Sequence, residues 1–235
     1  MKRMMIVPLG LLLLLAGSAV ASPLCGSSGV GTALSAWESS YTGFANACLI
    51  GDKLFYDFTF AVTGPTTVTP DTSQINLSGD TTHPSLNPGL VIQTGQFFLF
   101  GPDTLDVTIS YNVATASGAA LIEDYSLTIA GGNGNRTAGF GSVTESFNPA
   151  NDGPLVTGFG PGVAGVATAH EAFAPAYIAG THVSTHIVEN GGRTVSDQID
   201  ISLIRENFSE TPEPYVAVLI GSGLVLLGLR RKRAA

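Results

Sequence analysis

Basic residues are scarce between the two ends of this 235-residue chain. Ten Lys and Arg side chains stand against 18 Asp and Glu. Two of the basic residues lie in the first three positions and four in the last six, which leaves four for the rest of the chain and a net charge there of about −14. Such a surface repels phosphate backbones and anionic lipid headgroups. We therefore expect no nucleic-acid partner.

Cysteine is rarer still, with only Cys25 and Cys48 in the whole chain. An even pair in an exported protein is typical of a disulfide, which here would close a loop of about 24 residues. Two free thiols or a redox site are the alternatives. Neither a C-x-x-C spacing nor a nearby cationic partner supports a reactive cysteine. The sequence therefore predicts a structural disulfide between Cys25 and Cys48.

The motifs of several enzyme classes are absent. No serine occupies a G-x-S-x-G turn and no glycine-rich G-x-x-x-x-G-K stretch is present. The glycines of residues 131–135 predict a hairpin turn that needs positive φ. We therefore expect no cofactor and no enzymatic activity.

Long apolar runs are confined to the two ends. At the N-terminus, Lys2 and Arg3 precede an apolar run over about residues 4–16, and Ala19 and Ala21 form a small-x-small cleavage site. This order is typical of a secretory signal peptide, predicted over residues 1–21. A retained membrane helix is the alternative, but roughly 13 apolar residues are fewer than the roughly 20 that span a bilayer.

A lipoprotein signal is a second alternative for the N-terminus. Cys25 is preceded by Pro23 and Leu24, where lipoprotein processing would need small residues. The sequence therefore favours an ordinary cleaved signal peptide.

The C-terminal tail, predicted over residues 209–235, combines three features in order. Pro212, Glu213 and Pro214 are followed by an apolar stretch over residues 215–229 and then by the basic residues Arg230, Arg231, Lys232 and Arg233. Fifteen helical residues span roughly 22 Å, less than a hydrocarbon core of about 30 Å. The basic end should remain cytoplasmic by the positive-inside rule. The sequence therefore predicts a short transmembrane helix with the Pro-Glu-Pro motif at the outer membrane surface.

These three features together resemble the PEP-CTERM sorting signal. The resemblance implies an exosortase as partner, with the transmembrane part removed or exchanged and the protein sent to the cell surface or extracellular matrix of exopolysaccharide-producing bacteria. A plain membrane anchor that nothing cleaves is the alternative. Residues 48–60 and 195–214 also look like stretches common in uncharacterised PEP-CTERM proteins, a likeness that implies no activity.

The region between the tags, residues 22–208, alternates apolar and polar residues. Short β-branched and aromatic runs separated by Gly, Pro, Asn and Asp favour an antiparallel β-sandwich, with a barrel as the alternative and jelly-roll and Ig-like topologies not distinguished. The predicted strands are residues 54–63, 74–77, 90–100, 105–113, 121–129, 137–147, 181–188 and 196–204.

Residues 148–180 are rich in Gly, Pro and Ala. This composition predicts a long irregular loop with one short helix near residues 167–173. Residues 209–214 are predicted to be the linker to the membrane.

Four histidines and several acidic pairs are the candidate polar sites. His182 and His186 should lie on one face of a strand about 13 Å apart, too far for one metal ion. His170 beside Glu171 is typical of solvated surface. The acidic pairs are Asp52 with Asp57, Asp103 with Asp106, Glu123 with Asp124, and Asp197 with Asp200. Calcium at Asp103 and Asp106 is one alternative to solvated charge. We expect no metal site.

The leading hypothesis is a surface or matrix protein without catalytic activity. Its first alternative is a carbohydrate-binding module for the exopolysaccharide, with Tyr41, Phe97 or Tyr111 as stacking platforms. A glycoside hydrolase is a weaker alternative, because two carboxylates would have to converge in a cleft. The single tryptophan, Trp37, cannot be placed in such a cleft from sequence.

Overall fold

The computed structural model describes residues 22–26, 32–80, 87–117, 119, 121–132, 138–148, 153–173 and 178–210. Within this part of the chain one α-helix and twelve strands are formed, all strand ladders being antiparallel. They are α1 Leu34–Ser40, β1 Cys48–Ile50, β2 Lys53–Val62, β3 Asn76–Asp80, β4 Gly89–Gln93, β5 Phe98–Phe100, β6 Thr104–Thr115, β7 Ile122–Gly132, β8 Phe140–Asn148, β9 Leu155–Phe159, β10 Ala164–Ala172, β11 Gly180–Asn190 and β12 Gln198–Glu210.

The strands form two sheets that share one hydrophobic core, which confirms the predicted sandwich at the level of architecture. The first sheet has the order β1-β2-β6-β11-β8-β9, and the second has the order β10-β7-β12-β4-β3, with β5 paired to β12. In β6 every second residue from Leu105 to Val113 is buried. This period of two sends one face of each long strand into the core and leaves the other for polar side chains.

The helix α1 covers one end of the core. Leu34 and Trp37, three positions apart, are fully buried, and the Trp37 ring contacts Tyr41 and Phe58 edge to face at 5.4 and 5.1 Å between centroids. No side chain caps its N-terminus. Packing therefore stabilises this seven-residue helix, which is too short for its periodicity to be recognised in the sequence.

The predicted disulfide is confirmed. Cys25 and Cys48 are bonded, and the neighbouring backbone of Leu49 donates to Pro23 and accepts from Cys25. The bond fixes the N-terminal segment to β1. It therefore links residues before the helix to the edge of the first sheet.

The prediction of an irregular loop over residues 148–180 was wrong. This segment contains β9 and β10, and no helix is described near residues 167–173. β10 pairs with β7 along its whole length at the edge of the second sheet, but most of its residues are exposed. Because Ala and Gly have weak strand preferences, the pairing with β7 and not the local sequence determines this strand.

One further strand prediction and one turn prediction were also wrong. Residues 90–100 form β4 and β5 with a break between them, not one strand. The glycines at 131 and 132 do have positive φ, 139° and 109°. They do not make a hairpin, because β7 belongs to the second sheet and β8 to the first. A Cβ at Gly131 would lie 2.1 Å from the carbonyl oxygen of Asp200, so glycine is needed for the close approach of β7 to β12.

Candidate functional site

An open cleft of about 690 Å³ lies on the outer side of the second sheet, where β4 breaks off before β5. The lining residues come from the segment before β3, from β3, β4 and β5, from the break and from β12: Gln74, Asn76, Gln93, Thr94, Gly95, Gln96, Phe98, Asp200 and Ser202. The break that the sequence analysis missed is therefore the feature that forms the cleft.

The break is held by Thr94. Its backbone N–H donates to the carbonyl of Ser202 at 3.2 Å, which continues the contact with β12 for one residue beyond β4. Its hydroxyl donates to the carbonyl of Gln74 at 3.2 Å and accepts from the backbone N–H of Gln96 at 2.9 Å. These bonds fix the turn at Gly95, so the walls of the cleft are preformed.

Four amide side chains line the cleft: Gln74, Asn76, Gln93 and Gln96. Each amide carries both donors and acceptors. The oxygen of Asn76 accepts from the hydroxyl of Thr32 at 3.0 Å, and that of Gln96 accepts from the backbone of Asp71 at 3.3 Å. These two bonds orient the amides and leave their NH₂ groups as donors. Such a surface suits a ligand rich in hydroxyl groups, each of which donates and accepts.

An aromatic ring lies beside the amides. Phe98 lines the cleft and is 38 % exposed. Its ring contacts that of Phe100, which is 50 % exposed, edge to face at 4.5 Å between centroids. An exposed aromatic pair next to polar side chains offers an apolar platform to one face of a ligand while the amides bind its edge.

The only charged group among the lining residues is Asp200. Partial burial raises the pKa of this carboxyl, and the hydrogen bond from Ser202 opposes that rise. No Lys or Arg lines the cleft, so an anionic ligand would meet a carboxylate without a compensating cation. The site therefore suits an uncharged ligand.

The aromatic residues that the sequence analysis proposed as stacking platforms are in the core. Tyr41 is 2 % exposed, and Phe97 and Tyr111 are fully buried, as is Trp37. The prediction was wrong because Tyr111 is on the inward face of β6, while Tyr41 at the end of α1 and Phe97 just before β5 also turn into the core. Phe97 points inward and its neighbour Phe98 outward.

The predicted placement of two histidines on one face of a strand is confirmed. His182 and His186 lie on the outer face of β11 and bind different partners, His182 to Asn112 at 3.0 Å and His186 to Asp106 at 2.8 Å. Nε2 of His170 lies 3.3 Å from a carboxylate oxygen of Asp124 on β7. In the part of the chain that the structure describes, no group of three or more His, Cys, Asp or Glu side chains could hold a metal ion.

The two members of each of three predicted acidic pairs have different partners or surroundings in the fold. Asp52 pairs with Lys53, and Asp57 accepts from Gly43 and Asn112. The carboxylates of Asp103 and Asp106 accept hydrogen bonds from different threonines, Thr67 and Thr63 respectively.

Asp197 and Asp200, the fourth predicted pair, also differ in their surroundings. Asp197 is buried and accepts from the backbone of Arg193 and Thr194. Its partner in the predicted pair, Asp200, is thus the one carboxylate lining the cleft. The cleft consequently lacks the carboxylate pair that glycoside hydrolysis uses.

The predicted tags lie outside the described residues. These are the signal peptide with Ala19 and Ala21, the motif Pro212-Glu213-Pro214, the transmembrane stretch 215–229 and the basic residues 230–233. Among the residues described, no helix is long and apolar enough to cross a membrane. β12 continues through Glu210, so residues 209 and 210, which were predicted as linker, belong to this strand.

No family model and no curated protein matches the chain. Among solved structures, it is similar to the carbohydrate-binding module TmCBM61 in complex with β-1,4-galactotriose, with 12 % identity, a TM-score of 0.28 and coverage of 59 % of this chain and 86 % of that one. The xylan-binding module CBM15 has 8 % identity, a TM-score of 0.31 and coverage of 73 % and 97 %. A cyclase from Fischerella sp. has 12 % identity, a TM-score of 0.30 and coverage of 66 % and 85 %. With scores this low, the function must be argued from the chain's own residues.

Proposed function

We propose that this chain is an exported surface or matrix protein, sorted by an exosortase, whose sandwich binds an uncharged polysaccharide. The observation that carries the binding part is the cleft beside β5, where four amides and Phe98 meet. The observation that carries the sorting part is the sequence of the tail, with Pro212-Glu213-Pro214, a short apolar stretch and a basic end.

The chemistry of the lining supports a sugar ligand. Pyranose rings have hydroxyl groups at their edges and C–H groups on their faces. The amides provide paired donors and acceptors for the hydroxyls, and the exposed ring of Phe98 provides the apolar surface for a face. The openness of the cleft to solvent allows a long polymer to pass through it, which suits an internal segment of a polysaccharide.

The charge of the chain supports an uncharged polymer. Asp200 in the cleft and a net charge of −8 for the whole chain both disfavour uronic acid and sulfated polymers. Neutral hexose and pentose polymers avoid this repulsion. Binding should therefore change little with salt concentration, since few counterions are released.

Glycan-array binding by the full-length chain tests the binding part. Phe98→Ala should weaken binding to neutral glycans by roughly 10-fold or more, the effect of losing a central aromatic contact. Phe140→Ala is the matched control, because Phe140 is similarly exposed, at 45 % against 38 % for Phe98, but lies on the first sheet. Binding that favours acidic glycans, or equal affinity of Phe98→Ala and the native chain, would exclude this cleft as a neutral-sugar site.

The C-terminal mass of the mature protein tests the sorting part. Cells that contain the exosortase should yield a protein that ends upstream of Ala235, and cells without it should retain the whole tail. Replacing Pro212 and Pro214 by alanine should give the uncleaved mass in both strains. A chain ending at Ala235 in both strains would identify a plain membrane anchor.

A further inference from the structure

A strained aspartate begins a chain of hydrogen bonds on the outer face of the first sheet. Asp57 has a φ of 57°, and the described residues contain no other non-glycine residue with positive φ. It lies in a bulge of β2, where the register with β6 shifts between Tyr56 and Thr59. Bulges and left-handed residues are costly and occur often at functional sites.

The bulge directs the Asp57 carboxylate at two donors. One oxygen accepts from the backbone N–H of Gly43 at 2.5 Å, and the other accepts from the side-chain NH₂ of Asn112 at 3.0 Å. Because its NH₂ group is bound to Asp57, Asn112 turns its oxygen the other way. This oxygen lies 3.0 Å from Nδ1 of His182, the residue paired with Asn112 across the β6–β11 ladder.

This contact determines which nitrogen of His182 carries the proton. An amide oxygen can only accept, so Nδ1 is the donor and Nε2 of the neutral ring is left as an acceptor. Oγ of Ser184 lies 3.4 Å from Nε2 and 3.0 Å from Oγ of Ser110. The hydroxyl of Ser184 therefore donates to Nε2, at a distance typical of nucleophile–base pairs before a substrate brings them closer.

The arrangement is a serine, a histidine base and an orienting third group, and all three members are within reach of solvent. Ser184, His182 and Asn112 are partly exposed. Beside them, Tyr56 is paired with Asn112 and contacts Phe44 edge to face at 5.5 Å, and Phe44 is 59 % exposed. The two rings form an apolar wall next to the polar group.

We propose that Ser184 is a nucleophile and His182 its general base, and that this face of the first sheet hydrolyses carboxylic esters with a small acyl group. Asn112 and Asp57 are positioning residues. This activity departs from the expectation of a non-catalytic protein, and it is independent of polysaccharide binding at the cleft of the second sheet.

The ester class follows from the surroundings of Ser184. In the middle of a sheet the backbone N–H groups are used by the ladders, so hydroxyls such as that of Ser110 must stabilise the oxyanion, and they do so less well than a dedicated oxyanion hole. Such a site can hydrolyse an ester, which has a better leaving group, but not an amide. Its neighbours across both ladders are Ser110 and Ser146, which leave space for a small acyl group.

The reaction proceeds in two balanced steps. Oγ of Ser184 attacks the ester carbonyl as Nε2 of His182 takes the hydroxyl proton; the C–O bond to the alcohol then breaks, and His182 returns the proton to the departing alcohol. Water next attacks the acyl-serine while His182 takes a proton from it. The acyl–serine bond breaks, Ser184 regains the proton, and the carboxylic acid is released.

Covalent labelling of the full-length chain with a fluorophosphonate probe tests the proposal, with peptide mass mapping as the readout. We expect the label on Ser184, at a rate that increases with pH because only a neutral imidazole can accept the serine proton. Hydrolysis of p-nitrophenyl acetate should follow the same profile. No label on Ser184, or a rate independent of pH in the native chain, would overturn the proposal without any variant.

Variants show whether Ser184 is labelled because His182 activates it or only because it is exposed. His182→Gln should slow labelling by about 100-fold or more, the usual contribution of a general base, and Asn112→Ala should slow it and change its pH dependence. His186→Gln is the matched control, since this histidine lies on the same face of β11 but binds Asp106, outside the hydrogen-bonded chain. Equal labelling of native and folded His182→Gln chains would make Ser184 an ordinary surface serine.

Discussion

The phenol of Tyr111 on β6 donates a hydrogen bond to the carboxylate of Glu206 on β12, 2.5 Å away, across the core between the two sheets. The hydroxyl of Thr185 donates to the other oxygen of the same carboxylate at 2.5 Å. Glu145, on β8, is also buried in the core. Burial raises the pKa of Glu206 to about 7, although both hydrogen bonds oppose the rise. An acidic group in a hydrophobic core makes the stability of the fold depend on pH.

The sandwich should be more stable at pH 5 than at pH 8. Burial raises the pKa of Glu145 and Glu189 well above the ordinary value as well, the charge of Glu206 adding to the effect on Glu145 and that of Asp200 to the effect on Glu189. A carboxyl whose pKa is higher in the folded chain than in the unfolded chain stabilises the fold fully below the unfolded pKa of 4.5. For Glu206 this stabilisation is lost as the pH rises through the folded pKa of about 7. Urea denaturation of the full-length chain at pH 5, 6, 7 and 8 measures this loss.

Replacing Glu145 should remove part of this pH dependence. Neither of its carboxylate oxygens has a hydrogen-bond partner among the described residues, so Glu145→Leu removes a buried polar group without orphaning another. It should raise the free energy of unfolding at pH 8 by roughly 1–3 kcal/mol and change it less at pH 5. Glu123→Leu, on the partly exposed part of β7, is the control. A variant less stable than the native chain at pH 8 would contradict the prediction.

The contribution of Asp106 to stability should depend on pH in the opposite direction. The hydrogen bond from His186 lowers the pKa of this carboxyl most, followed by the bond from Thr63. Its contribution to stability is present above the unfolded pKa and is lost as the pH falls through the folded one. His186→Gln should therefore raise the pKa of Asp106 more than Thr63→Ala does. Carboxyl carbon chemical shifts followed by NMR between pH 2 and 6 measure both, and a larger effect of Thr63→Ala would contradict the ranking.

The disulfide should stabilise the fold by about 3 kcal/mol, the entropy that a loop of this length removes from the unfolded chain. The double variant Cys25→Ser with Cys48→Ser should lose this amount, as measured by the free energy of unfolding in urea. Adding a thiol reductant to the native chain should have the same effect and none on the variant. An equally stable double variant would mean that Leu49 and Pro23 hold the segment without the bond.

The strands that the sequence predicted are those with a strong period of two. β6 and β11 alternate apolar and polar residues over their length, so their existence and their inward faces could both be read from Leu105, Val107 and Ile109. β10 could not be predicted in this way, because its inward residues, Ala167 and Ala169, are small and weakly apolar, whereas its most apolar residue, Val166, is exposed. Its strand conformation depends on a partner that is distant in the sequence.

The sites were less predictable than the strands. The cleft depends on a break at Thr94 and Gly95, where the polar residues 93–96 separate two short apolar runs that were predicted as one strand. The Ser184–His182 pair could have been found, since positions two apart on a strand share a face. Asn112 and Asp57, which orient the histidine, come from two other strands, and only the fold brings them together.

Two adjacent phenylalanines give the sharpest contrast between a core residue and a site residue. Phe97 is fully buried, whereas Phe98 is 38 % exposed and lines the cleft. Phe97→Ala should lower the free energy of unfolding by roughly 3–5 kcal/mol, the usual cost of removing a core phenylalanine. Phe98→Ala should change it by about 1 kcal/mol or less while weakening glycan binding. Urea denaturation and glycan binding of both variants, measured on the same preparations, show whether each ring acts in stability or in binding. If Phe98→Ala proved as destabilising as Phe97→Ala, its ring would be a structural element of β5, and the cleft would lose its aromatic platform.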